Sequence, residues 1–395
     1  MKKSPRGERL IITFLGRRNA GKSSLINAIA EQDIAIVSEE PGTTTDPVAK
    51  AYELIPVGPV TFYDTAGLDD TGTLGEMRVK ATRKVLLRTD IAVLVTDEMG
   101  ITGKDRLIID ELKNMEIPYL IAFNKSDLGS PEIPSDEMEK SLRVSTKTFL
   151  GIHELKEMII ASVPEYFRRE PVIIGDIIKA GDLVVLVVPI DLAAPKGRLI
   201  LPQVQVIREV LDNDAIAVTV KDRELDEALE KLSQPPALVI TDSQVVLKVA
   251  GSVPDDIPFT TFSTAFARYK GDLDMLVEGA NTADNLNDGD RILIAEACSH
   301  HVQSDDIGRV KIPRWLKQYT GKDLHFDIYT GHDFPENLEK YKLIIHCGSC
   351  MITGMEFKRR LFTAHRQNIP ITNYGVIISK VHGLLERVVR VFGSR

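Results

Sequence analysis

The feature that most constrains this chain is a glycine-bracketed turn, Gly16-Arg17-Arg18-Asn19-Ala20-Gly21-Lys22-Ser23, set between an apolar run at 9–15 and a helical stretch at 22–31. Strand, G-x-x-x-x-G-K-[ST] turn and helix in that order form a cradle for phosphate. The glycines let backbone N–H groups turn inward onto anionic oxygens, and the helix N-terminus adds partial positive charge. Lys22 supplies a point charge for outer phosphates, and the Ser23 hydroxyl offers a ligand to Mg²⁺. Ala20 and Ser24 complete the candidate nucleotide-contacting set.

The alternation continues with apolar runs at 60–63, 91–96 and 118–123 and helical stretches at 75–88, 104–115 and 151–161. Strands alternating with helices predict a parallel sheet covered on both faces. Arg168-Arg169-Glu170-Pro171 reads as a linker. The rhythm then restarts, with strands at 183–189, 215–220 and 237–241 and helices at 203–211 and 224–232. A helix at 264–279 precedes a third series: strands at 291–297, 324–329, 341–346 and 370–374, and helices at 307–318, 354–367 and 379–391. The expected fold class is α/β, a P-loop domain at 1–168 followed by two further α/β units with mainly parallel sheets at 169–270 and 271–395. At 395 residues the chain is too long for one core. The middle unit has no cluster of nucleophiles, bases or metal ligands and reads as a structural or self-association module. Lys358-Arg359-Arg360 reads as a solvated helix face.

Three further segments bear on the turn. Asp64-Thr65-Ala66-Gly67 follows the run at 60–63, placing a carboxylate near Mg²⁺ and the Gly67 N–H near a γ-phosphate. Asn124-Lys125-Ser126-Asp127 follows the run at 118–123; Asp127 can accept two hydrogen bonds from a guanine edge while the Lys125 stem covers the ring. Adenine would leave that carboxylate unpaired, a strong discrimination. Ser145-Thr146-Lys147 can touch the base carbonyl.

Together these residues resemble the small-G-protein family, in its branch of TrmE-, Era- and EngA-like bacterial GTPases, over about residues 8–165. The resemblance implies GTP/GDP binding and hydrolysis. Pro41-Gly42-Thr43-Thr44-Thr45-Asp46 looks like that branch's first switch, with Thr44 as a Mg²⁺ ligand beside Ser23 and Asp64, although Thr45 stands where Arg is usual. Asn19 lies where some members hold K⁺, which would supply transition-state charge without an arginine finger. Lys22, Thr44, Gly67 and Asn19 are therefore the candidate catalytic residues. Leu68 occupies the position of the water-orienting glutamine of Ras-like enzymes, so slow, potassium-stimulated turnover is expected.

All three cysteines lie in the last unit, in Cys298-Ser299-His300 and His346-Cys347-Gly348-Ser349-Cys350, each after an apolar run. The C-terminal ends of strands in open α/β sheets are where ligands bind. Three thiolates and an imidazole suit either structural Zn²⁺ or an iron–sulfur cluster with one non-cysteine ligand, and spacing alone leaves both open. Glu296, two residues before Cys298, shares its strand face.

The whole pattern resembles the HydF family, the GTPase maturases of FeFe-hydrogenases. That resemblance implies a 4Fe–4S cluster on Cys298, Cys347 and Cys350, with His300, His346 and Glu296 as candidate fourth ligands or their supports. It also implies a homodimer formed through the middle unit, a scaffold role in delivering the diiron subcluster to apo-hydrogenase, and radical-SAM maturases as partners. The alternative is a GTPase in RNA modification or ribosome assembly with a structural zinc domain. A net charge of −8 disfavours a nucleic-acid partner. Three cysteines suit a reducing cytoplasm, and no run approaches the roughly 20 apolar residues of a membrane span.

Overall fold

The structure is a computed structural model that describes residues 9–30, 48–65, 85–164, 167, 172–189, 199–297, 306–331, 334–335, 337–349 and 352–393. The chain divides into two compact units, Met1–Glu170 and Pro171–Arg395.

The first unit runs β1 (Leu10–Leu15), α1 (Lys22–Ala30), β2 (Val48–Leu54), β3 (Gly58–Asp64), β4 (Ile91–Thr96), α2 (Gly103–Asn114), β5 (Tyr119–Phe123), β6 (Ser141–Arg143) and α3 (Ile152–Ala161). Its sheet has the order β2-β3-β1-β4-β5-β6. All pairs are parallel except β2 with β3. Every residue of β1, β4 and β5 is buried, which requires cover on both faces. Leu25, Ile26, Leu155 and Ile159 pack with Ile12, Phe14 and Val93 in one core. Ile109 and Leu112 pack with Leu15, Leu94 and Ile121 in another. The expected strands match β1, β3, β4 and β5. Two strands gave no signal: β2, seven residues long, is an antiparallel edge carrying Lys50 and Glu53, and β6 has three residues. Most of the expected helix at 75–88 lies outside the described residues.

The second unit contains β7 (Leu183–Val187), α4 (Leu201–Asp212), β8 (Ile216–Val220), α5 (Leu225–Lys231), β9 (Leu238–Thr241), α6 (Val246–Ser252), β10 (Phe259–Thr261) and α7 (Phe262–Lys270). There follow α8 (Leu273–Asn281), β11 (Arg291–Glu296), α9 (Ile312–Thr320), β12 (His325–Thr330), β13 (Leu343–His346), α10 (Gly354–Arg366), β14 (Ile371–Asn373), α11 (Tyr374–Val381) and α12 (Leu385–Val389). Two four-stranded sheets result, β10-β9-β7-β8 and β12-β11-β13-β14, with parallel pairs throughout. One core spans both, joining Val185, Val239 and Phe259 to Ile292, Leu343 and Ile371. The Thr260 hydroxyl donates to Val388 O at 2.8 Å. Arg387 donates to Ala250 O and Val253 O.

The helix expected at 264–279 is two helices, α7 and α8, because the chain turns at Gly271 and Asp272 caps α8 at the Met275 N–H. The helix expected at 379–391 likewise divides into α11 and α12. The one expected at 307–318 opens with a wide π turn at Ile307–Lys311, its Arg309 N–H held by the Asp306 carboxylate. Lys358 is exposed, but Arg359 and Arg360 are buried, so the reading of 358–360 as a solvated face is overturned for the two arginines. That face of α10 packs inward, and the Arg360 charge is met by Glu356 at 2.7 Å.

A Cβ at Gly279 in α8 would stand 1.9 Å from Ile371 O in β14. Alanine is favoured over glycine in a helix by about 1 kcal/mol, but overpacking costs about 1–3 kcal/mol, and backbone yields less than a side chain. Gly279→Ala is therefore expected to destabilise the second unit by about 1–2 kcal/mol. Urea unfolding followed by the fluorescence of Trp315, the single tryptophan, checks this; an unchanged or raised midpoint would contradict the packing.

Candidate functional site

The turn leaves β1 at Leu15 and enters α1 at Lys22, with φ of +136° at Gly16, +61° at Asn19 and +92° at Gly21. A Cβ at Gly16 would lie 2.2 Å from Val95 O, and one at Gly21 would lie 2.2 Å from Asn124 Nδ2. Backbone conformation and the crowding of β4 and the 124–127 segment both demand glycine. Lys22 is buried, its ammonium donating to Gly16 O at 2.9 Å and Arg17 O at 2.8 Å. The Ser23 hydroxyl donates to Asp64 at the end of β3, so two expected Mg²⁺ ligands, 41 residues apart, already meet. Asn19 and Ser24 are exposed.

Asn124 is buried and joins the phosphate turn to the base loops. Its Nδ2 donates to Ala20 O at 2.9 Å and its Oδ1 accepts from the Thr146 N–H at 3.3 Å. The Ser145 hydroxyl donates to Asp127 Oδ1 at 2.7 Å. That bond, with a smaller contribution from the Lys147 charge, holds the Asp127 carboxyl below its ordinary range, which keeps it an ionised acceptor. Lys125 sits at φ +58° with its ammonium 3.8 Å from Glu98. Arg17 was not anticipated: its guanidinium donates to Asp97 at 2.8 Å and to Gly100 O at 3.0 Å, tying the turn to the segment after β4. The signal available was Asp97 directly after an apolar strand. Thr44 and Gly67 lie outside the described residues.

In the second unit the parallel pairing of β11 with β13 sets Ala295 opposite His346. The Cys347 N–H donates to Ala295 O at 2.9 Å, and the Ala297 N–H donates to Cys347 Sγ at 3.1 Å. Cys298 follows Ala297 in sequence; Cys298, His300 and Cys350 lie outside the described residues. His346 is fully buried. Its Nε2 accepts from Arg360 Nη1 at 3.0 Å, so Nδ1 carries the proton and donates to Cys347 O at 2.9 Å. Burial, reinforced by the Arg360 charge, pushes the imidazole pKa down to about 3. Glu296, also buried, accepts from Arg309 Nη2 at 2.8 Å and Nε at 3.2 Å and from the Tyr374 hydroxyl at 3.4 Å. Ser349 adopts φ +57°, reversing the chain two residues after Cys347. Among the described residues, no three His, Cys, Asp or Glu side chains converge as a metal site. Arg309, absent from the sequence reading, and Arg360, read there as part of a solvated helix face, engage two of the three candidate fourth ligands.

Residues 11–125 match the family described as 50S ribosome-binding GTPase. The tRNA modification GTPase MnmE of Desulforamulus reducens is 35% identical over 166 residues, 40% of this chain and 35% of that protein. MnmE of Prochlorococcus marinus is 39% identical over 154 residues, 37% of this chain and 33% of that protein. GTPase Der of Maridesulfovibrio salexigens is 37% identical over 145 residues, 34% of this chain and 32% of that protein. The chain thus spans about a third of the length of these relatives. With the turn, Asp64, Asn124 and Asp127 in place, the first unit is a TrmE/Era-like P-loop GTPase domain. Residues 173–271 match the hydrogen maturase F dimerization domain and residues 274–391 its tetramerization domain. The chain is therefore such a GTPase domain fused to the dimerization and tetramerization domains of hydrogen maturase F. No helix among the described residues is long and apolar enough to cross a membrane.

Gly16→Ala combines a positive-φ strain of about 1–3 kcal/mol with the clash at Val95 O. GDP affinity is expected to fall about 10- to 100-fold, as read by titration with a fluorescent GDP analogue. Wild-type affinity would show that the turn can deform without cost.

Proposed function

We propose that this chain is a slow GTPase that acts as scaffold and carrier in assembling and delivering the diiron subcluster of FeFe-hydrogenase. Its own 4Fe–4S cluster would be held by Cys298, Cys347 and Cys350. The observation that carries this reading is the order of domains, a GTPase domain followed by two hydrogen maturase F domains.

Three cysteines, following in sequence on the neighbouring strands β11 and β13, have the donor chemistry that such a centre calls for. Ala297 touches Cys347 Sγ across 50 residues of sequence, which supports thiolates from the ends of β11 and β13 meeting, and Ser349 supplies a turn toward Cys350. Occupation of His346 by Arg360 and of Glu296 by Arg309 favours His300 or a cargo ligand at the fourth iron, with His346 orienting Cys347. When bound, the cluster would supply an iron position at which cargo can exchange.

In the first unit, Ser23 and Asp64, joined by Thr44, would hold Mg²⁺, and Lys22 and the Gly67 N–H would meet the outer phosphates. Asn19 would hold K⁺, and Asp127 would select guanine. GTP turnover would then tune contacts with apo-hydrogenase and the radical-SAM maturases. Homodimerisation through 169–270 is supported by β8, which is outermost in its sheet among the described residues and carries exposed Ile216, because an outer strand edge suits pairing with another copy. A domain division at 1–168, 169–270 and 271–395, in a cytoplasmic protein, completes the proposal.

Anaerobic purification is expected to give a brown protein with about four irons per chain and a paramagnetic signal on reduction, which Cys347→Ser depletes. A colourless protein with one zinc would instead support an RNA- or ribosome-directed GTPase with a structural metal. GTP hydrolysis is expected to run several-fold faster in K⁺ than in Na⁺, and Asn19→Ala should abolish the difference; equal rates in wild type would refute the potassium site.

A further inference from the structure

The C-terminal end of α7 carries a lysine that neither the nucleotide nor the cluster reading uses. Lys270 is 5% exposed. Its ammonium donates to Ser349 O at 2.9 Å and Ile352 O at 3.3 Å, two carbonyls that bracket Cys350 in sequence and follow closely on Cys347. The corner is tightly packed: a Cβ at Gly271 would stand 2.7 Å from Phe357 Cε1, and the Phe357 ring lies 5.0 Å from that of His346. Methionine would fill the same space without the cost of removing an ammonium from water. A lysine contributes two things that methionine lacks, a hold on the loop backbone and a positive potential beside it.

We infer that Lys270 is a positioning residue for the thiolate loop: it clamps the Ser349 and Ile352 carbonyls in place and lends buried positive charge to the anionic centre that Cys347 would help to hold. The charge half of this inference rests on the iron–sulfur reading; the clamp stands without it. Reduction adds negative charge to a thiolate-bound cluster, so a nearby cation favours the reduced state. The clamp also crosses a boundary, since α7 lies in the dimerization match and the loop in the tetramerization match.

The test uses the full chain. After anaerobic reconstitution with Fe²⁺ and sulfide, Lys270→Gln is expected to retain iron. Its reduced-to-oxidised ratio at the wild-type midpoint should fall about tenfold, equivalent to 59 mV for one electron, and Lys270→Arg should return it toward wild type. In metal-free protein, Lys270→Met should raise amide hydrogen exchange at 347–353 and leave the first unit unchanged. An unchanged potential overturns the role of charge, and unchanged exchange overturns the clamp. Should Lys270→Met not fold, exchange in Lys270→Gln against Lys270→Arg decides the clamp in its place. Wild-type protein that takes up no iron defeats the cluster reading, while the exchange measurement still judges the clamp.

Discussion

In a parallel sheet the backbone ladder brings every strand's C-terminal end to one edge, and each return crosses a face through a helix or long loop. Neighbouring strands lie about 4.8 Å apart, so residues remote in sequence arrive side by side without side chains having to gather them. Ser23 meets Asp64 because β1 and β3 pair in register from Leu10–Val60 to Phe14–Asp64. Asn124 reaches Ala20 because β5 and β1 both flank β4. The same rule joins Ala297 to Cys347, since β11 and β13 are neighbours. Both sites are products of backbone hydrogen bonding, and side-chain chemistry is laid on an edge that already exists.

On the second edge, a chain of buried polar groups fixes Cys347 from behind. Arg360 donates to Glu356 at 2.7 Å, to Gly331 O at 3.0 Å and to His346 Nε2 at 3.0 Å, with its guanidinium 5.3 Å from the Phe334 ring centroid. Desolvating these ions costs several kcal/mol, and breaking such a pair by removing one partner costs about 3–5 kcal/mol. An apolar core would be cheaper. The arrangement instead fixes one tautomer: with Nε2 committed to arginine, the Nδ1 proton must face the Cys347 carbonyl. Because the imidazole pKa is held to about 3, that tautomer persists across the physiological range, and the thiol-bearing backbone keeps its orientation.

Legibility in sequence followed what each residue's partner was. Strands buried on both faces read as continuous apolar runs, as β4 and β5 do, whereas β6 and β10, three residues each, leave no period to detect. Apolar periodicity runs on through Gly271, so α7 and α8 merged; the break is set by the turn at Gly271 and the Asp272 cap on α8, and the crowding of Phe357 against Gly271 is revealed only by the fold. Asp64, Asn124 and Asp127 were legible because phosphate, magnesium and guanine demand those residue types at strand ends. Arg17, Lys270, Arg309 and Arg360 were not. Their acceptors are backbone carbonyls or carboxylates brought near by topology, and a cation on a helix reads by default as solvated.

The two sheets of the second unit share one core, and this bears on how the parts communicate. Separate cores would let the 173–271 and 274–391 segments hinge; a shared one, close-packed and nearly incompressible, transmits displacement. Polar sutures run across that divide as well: Thr260 to Val388, Arg387 to Ala250 and Val253, and Lys270 to Ser349 and Ile352. The first sheet is thus joined to the loop after β13 both by packed side chains and by a short ammonium-to-carbonyl link. The edge strand β8 and the loop after β13 are in this way carried by one packed body.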